Sequence, residues 1–309
     1  MEGKVNVPDV TPELPAWSWR AILALIGRLP QGAVSRGMGR IADIPLPRGL
    51  RRPVLGTFAR ALRIDLSEAE LPLEEYGSLN AFFVRRLKPG ARVWPSDPAT
   101  VASPVDGIIG QFGLLAEGRM LQAKGQWYTA AELLADEAEA GRYRDGAYVT
   151  IYLSPRHYHR IHTPTAGEVR RADYIPGSLL PVNAPAVASV PKLFARNERL
   201  ITYVDGPLGR VAVVAVGAFN VGRISAAYDP EWRAAPGANR WATNRPGGER
   251  ATKRYDPPHS VSTGEEIMAF HLGSTVVLLF EGGKVRLDPG LAPGVEVKVG
   301  EAIARSAAR

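Results

Sequence analysis

Cysteine is absent from the 309 residues. That excludes disulfides, thiolate catalysis and cysteine-based zinc sites, and it is compatible with a reducing compartment. No apolar run approaches the ~20 residues that a membrane-crossing helix needs; Val211 to Phe219 is among the longest. The start, MEGKVNVPDV, has no charged stretch leading into an apolar run. The run Ala21 to Gly27 is not followed by a small-residue cleavage pattern, so no signal peptide is expected. No G-x-G-x-x-G or P-loop follows a strand pattern, which leaves nucleotide chemistry without a motif. Histidines are few: His157, His159, His162, His259 and His271.

What is present describes a globular chain, 45% hydrophobic and 22% charged. Its 32 glycines and 26 prolines favour turns and short strands over long helices. The net charge is +7, and from Arg20 to Arg63 there are nine arginines against one acid, Asp43. Such a basic front end suits nucleic acid, anionic lipid or acidic substrates. No aromatic RNA-binding signature or helix-turn-helix pattern accompanies it, so nucleic acid is not an expected partner.

Residues 16 to 40 read as one or two short helices ended by Pro30 and Gly32, with Trp17, Trp19, Ile22, Leu23, Leu25, Ile26 and Leu29 beside Arg20 and Arg28. A helix lying in a membrane interface has this composition, and so does one packed on its own domain. Pro45, Pro47 and Pro53 break the chain, a second amphipathic helix spans 54 to 70, and Ser78 caps a short helix whose Phe82 and Phe83 face the core. After Pro95 short β runs alternate with turns: 107–112, 147–153, 200–204, 211–219, 274–280 and 284–287. DGPLG at 205–209 and EGG at 281–283 read as hairpin turns, Thr129 opens a capping box before AAELLADEAEA, and 228–259 reads as a long loop. The expected fold is α+β: an N-terminal helical region, 1–77, then a mostly antiparallel β-sandwich or barrel-like domain, 78–309.

Three histidines crowd into SPRHYHRIHTP, directly after the strand pattern AYVTIYL. Three imidazoles could bind zinc, but no acidic ligand lies near them in sequence, and solvated histidines without a role are the plain alternative. Asp106, in ASPVDGIIGQF, reads first as an Asp-Gly turn. An Asp, a His and a Ser spread over a chain can also build a relay triad. Ser274 is not in a G-x-S-x-G elbow. Gly273-Ser274 stands at the mouth of an apolar strand, where a glycine brings a strand nothing.

LGST, within GEEIMAFHLGST, resembles the self-cleavage site of the phosphatidylserine decarboxylases. FFVRRLKPGARVW, ASPVDGIIGQFG, YLSPRHYHRIHTP, YIPGSLLPVN and LFARNER resemble further segments of that family, in family order, over roughly residues 78 to 288. His157 stands where the family usually has Asp or Glu and is given no role.

The resemblance implies a pyruvoyl-dependent decarboxylase. Ser274 Oγ would attack the Gly273 carbonyl, with His162 as base and Asp106 orienting it. Elimination across Ser274 would end a large chain at Gly273 and leave a covalent pyruvoyl cofactor on a small chain, 274–309. That ketone would form a Schiff base with phosphatidylserine and give phosphatidylethanolamine after loss of carbon dioxide. His159 would position substrate or donate a proton. The implied setting is the cytoplasmic face of an anionic cell membrane, with the two chains held as a heterodimer and a higher homo-oligomer left open. Three rivals stay open: a lipid-binding protein without chemistry, a biotinyl-like or phosphohistidine carrier suggested by SPVDG and PGVEVKVGEAIA, and a pyruvoyl decarboxylase of a soluble amino acid.

Overall fold

A computed structural model describes residues 26, 28–123, 125–219, 223–233, 243–244, 248–271 and 274–307. The tryptophan-bearing stretch before residue 26 and Gly273 lie outside the described residues.

The helices are α1 (Gln31–Asp43), α2 (Arg48–Leu62), α3 (Leu79–Phe83), α4 (Ala130–Leu134), α5 (Glu137–Ala140), α6 (Ala184–Ser189) and α7 (Leu193–Arg196). Helical residues Ile26 and Arg28 stop short of Pro30, which then stands at the N-cap of α1, where a proline costs nothing because the first amides lack partners anyway; Gly32 lies inside α1 rather than ending a helix. Pro53 sits inside α2, whose chain turns only at Arg63, in a left-handed conformation. Leu55 and Ala59, one turn apart on α2, pack with Ile64, Tyr76 and Phe82 into a small core of their own. Ser78 caps α3 by accepting from the Ala81 amide, as its sequence suggests. The AAELLADEAEA segment is two helices, since Ala135 adopts a left-handed conformation between them.

Among the described residues sixteen strands follow: β1 (Thr100–Ala102), β2 (Gly107–Leu114), β3 (Arg119–Ala123), β4 (Gln126–Thr129), β5 (Ala147–Leu153), β6 (Arg160–His162), β7 (Gly167–Ile175), β8 (Arg199–Gly206), β9 (Gly209–Val216), β10 (Ile224–Ala226), β11 (Ala251–Val261), β12 (Glu266–Phe270), β13 (Ser274–Phe280), β14 (Val285–Leu287), β15 (Glu296–Val297) and β16 (Ala302–Ser306). Eight form one antiparallel sheet in the order β11-β7-β8-β9-β13-β5-β2-β15. Two three-stranded sheets, β1-β16-β14 and β10-β12-β6, and the β3-β4 pair complete the set. The fold is α+β with mostly antiparallel sheets, and the large sheet is open rather than closed into a barrel.

β13 lies near the middle of that sheet, paired to β5 on one side and β9 on the other, and all seven of its residues are buried. A run apolar on both faces suits a strand covered on both faces. β8 and β9 meet through Pro207-Leu208, so DGPLG is a hairpin turn. EGG is not: β14 leaves the large sheet and pairs with β16. The loop expected over 228–259 contains β11, an edge strand whose register shifts between Arg254 and His259, around Pro257 and Pro258. An edge tolerates prolines because one row of its amides needs no partner.

Candidate active site

Three strand ends converge. Ser274 opens β13 opposite Leu153 of β5, and Ile108 of β2 faces Tyr152 of the same strand. At the usual strand spacing the starts of β2 and β13 are therefore roughly 10 Å apart across β5. Gly107 is not a turn residue. It begins β2, and a Cβ there would come 2.7 Å from the Tyr152 carbonyl oxygen, so only glycine fits beside Asp106.

Ser274 is fully buried, and its Oγ finds no hydrogen-bond partner among the described residues. It lines a cavity of about 570 Å³ whose other walls include Ser154 and Arg156 after β5, Phe83 of α3, and Met38, Ile41 and Phe58 of the N-terminal helices. A buried hydroxyl with no partner carries a free-energy cost.

His159 lies behind that wall, its ring centroid 4.1 Å from that of Phe83. Its Nδ1–H donates to the His157 carbonyl at 2.8 Å, and its buried Nε2 is unpartnered among the described residues. Burial, and then the Arg85 guanidinium, push its pKa well below the ordinary imidazole value. Arg85 is itself buried, donating from Nη2 to the Arg156 carbonyl at 3.4 Å.

His162 is on β6, held against the Asp106 turn by its amide, which donates to the Pro104 carbonyl at 2.9 Å. Its Nδ1–H donates to the Gly264 carbonyl at 2.7 Å, which leaves Nε2 to accept from the Tyr158 hydroxyl at 3.1 Å. Burial lowers its pKa; the Gly264 bond, then the Glu266 carboxylate and last the Asp106 carboxylate pull the other way. Burial raises the Tyr158 pKa, so that hydroxyl keeps its proton.

Asp106 is engaged elsewhere. Arg92 grips it with two bonds, Nε to Oδ1 at 3.0 Å and Nη2 to Oδ2, and the Val299 amide donates to Oδ1 at 2.8 Å. Arg92 Nη2 also reaches Glu68 at 2.9 Å. The direct Asp106–His162 bond of a relay triad is thus not made here, because a planar guanidinium matches a carboxylate better than one ring N–H does. Ser274 and the start of β2 after Asp106 flank the end of β5, His162 hangs from the Pro104 carbonyl, and His159 packs on Phe83; of these four side chains Ser274 lines the cavity, and no two of them are bonded to each other. His157 stands apart in function: its Nδ1 accepts the Ser154 amide at 2.9 Å, fixing the bend that carries the other two histidines. No cluster of three metal-ligating side chains occurs among the described residues, and the three imidazoles of this stretch point to different partners. Sequence reasoning missed Arg92, Tyr158 and the Gly264 carbonyl, whose contacts exist only once distant segments meet.

The phosphatidylserine decarboxylase family model matches residues 79–305. The chain belongs to the phosphatidylserine decarboxylase family. A phosphatidylserine decarboxylase proenzyme of Anaeromyxobacter sp. (strain K) is 47% identical over 288 residues, covering 93% of this chain and 99% of that protein. Those of Myxococcus xanthus and Brevibacillus brevis are each 41% identical, over 92% and 91% of this chain and 98% and 96% of theirs. The chain is accordingly an enzyme of the decarboxylase class, and the non-catalytic readings fall away.

Proposed function

We propose that this chain decarboxylates phosphatidylserine to phosphatidylethanolamine with a pyruvoyl group that it makes from its own Ser274 by cutting the Gly273–Ser274 bond. The observation that carries the reading is the Ser274 hydroxyl, buried, on the wall of a cavity and without a hydrogen-bond partner among the described residues. That environment fits the group. Ser274 is itself fully buried and opens on a space for substrate. The pyruvoyl group would supply a ketone that captures the substrate amine and takes up the electron pair left by carbon dioxide.

The residues then take these roles. Ser274 Oγ attacks the preceding carbonyl, exchanging an amide for an ester, and loss of its α-proton breaks the Cβ–O bond to free the Gly273 carboxylate. The dehydroalanine left behind tautomerises, and water removes its nitrogen as ammonia. His162, neutral because it is buried, is the base; the Tyr158 hydroxyl has to swing off Nε2 for it to act. Asp106 favours the imidazolium through its field while Gly264 fixes the tautomer. His159, neutral and with Nε2 unpartnered among the described residues, serves the decarboxylation step by positioning substrate or moving a proton.

The cavity's apolar helical walls suit acyl chains. Ile41 lines it and is 61% exposed, and Ile44 and Leu50 extend the apolar surface outward. No described helix is long and apolar enough to cross a membrane. Residues 1–77 would therefore lie on an anionic bilayer, at its cytoplasmic face, while 78–309 carry the chemistry. Each arginine near such a surface contributes about 1 kcal/mol.

Intact-mass measurement of the purified protein tests the reading. Wild type should give two species, the smaller beginning with a keto-acyl cap at position 274, and Ser274→Ala should stay whole and inactive. An active wild type found intact, or a cleaved alanine variant, overturns it.

A further inference from the structure

His271 takes no part in this chemistry, yet it is buried and fully bonded three positions before Ser274. Nδ1 lies 3.0 Å from Asn80 Oδ1, and Nε2 lies 3.1 Å from Ser225 Oγ. The neighbours decide the tautomer. Asn80 Nδ2 donates to Asp43 Oδ1 at 2.6 Å, and a carboxylate only accepts, so Asn80 turns its oxygen to His271. His271 therefore carries its proton on Nδ1, and Nε2 accepts from Ser225. Asp43 Oδ2 takes Arg223 Nη1 at 3.1 Å, and the Arg223 carbonyl accepts the His271 amide at 3.0 Å. The bonds close a ring: Asp43 at the end of α1, Asn80 on α3, His271 after β12, Arg223 before β10.

On the other side of the proposed scissile bond the ladder takes over. Ser274 is set opposite Leu153, and Thr275 between Tyr152 and Val216. Only Leu272 and Gly273 separate the two fixed posts in sequence. Fixing both ends restricts the approach of a hydroxyl to the carbonyl before it, and a misplacement of about 1 Å can cost ~10²-fold in rate.

We propose that His271 is a positioning residue for self-cleavage, holding the backbone before Ser274 through its Nδ1–H bond to Asn80 and so to Asp43. The inference rests on the self-cleavage reading above. Freshly synthesised chain, followed by intact mass over time, tests it. His271→Phe keeps a ring without a donor and should slow cleavage about tenfold or more; His271→Asn keeps a donor near the Nδ1 position and should restore most of the rate. Asp43→Ala, at the half-exposed end of the ring, should slow cleavage several-fold while the protein stays folded by circular dichroism, and it decides the matter if His271→Phe does not fold. A folded His271→Phe or Asp43→Ala cutting at the wild-type rate overturns the inference, as does His271→Asn being no faster than His271→Phe. A wild type that never cuts refutes instead the self-cleavage reading beneath it.

Discussion

His159 and His162 are three positions apart and live in different circumstances. One has an Nε2 with no partner among the described residues, behind a phenylalanine; the other has both nitrogens engaged on a strand. Their proposed duties separate accordingly. His159→Ala should leave cleavage intact and lower turnover on phosphatidylserine vesicles by about 10²-fold, whereas His162→Ala and Asp106→Ala should lower the cleavage rate by that much or more. Gel bands and product assays on the same samples read both; an uncut His159→Ala would reverse the division. The histidines and Asp106 stand out in the sequence as candidates because their motifs are local. The grip of Arg92 on Asp106 does not, since an arginine in a basic stretch carries no mark of the carboxylate it meets after folding.

Among the elements, β13 was the easiest to read and α2 among the hardest. VVLLF announces a strand, and its apolarity on both faces implies burial. Its neighbours β5 and β9 come from more than 50 residues away, and nothing in the run names them. Short polar strands such as β6 and β10 lack a pattern of their own and are strands only because β12 lies between them. β11 was read as loop from its prolines, and α2 was started late on account of Pro53. In both places tertiary packing overrode a local breaker. Leu278→Ala, in the middle of β13, should cost about 2–5 kcal/mol. Denaturant unfolding at fixed pH checks this, and a loss under 1 kcal/mol would mean that the centre of the sheet is not where stability resides.

At the scale of the whole molecule, proton linkage has a definite sign. Burial holds His157, His159, His162 and His271 below the ordinary imidazole value of about 6.5 in the folded state. The unfolded chain then binds more protons than the folded one as pH drops past that value, so stability is present above it and lost below it. The melting temperature should fall steadily from pH 7.5 to pH 5.5; a flat profile would contradict the burial of these rings. The basic front end makes a second demand. Removing residues 1–40 should weaken binding to anionic liposomes at least tenfold, with the remaining affinity less sensitive to salt.

Residues 274–306 do not form a separable lobe. They supply an inner strand of the large sheet, its far edge at β15, and two of the three strands in the sheet with β1. Were the proposed cut before Ser274 made, the 36-residue piece would be woven through its partner like a weft thread, and no exchange of halves between molecules could occur without unravelling the fabric. Unfolding such a protein would be a one-way event. Two unlinked strands would have to find each other in dilute solution, without the tether that brought them together the first time.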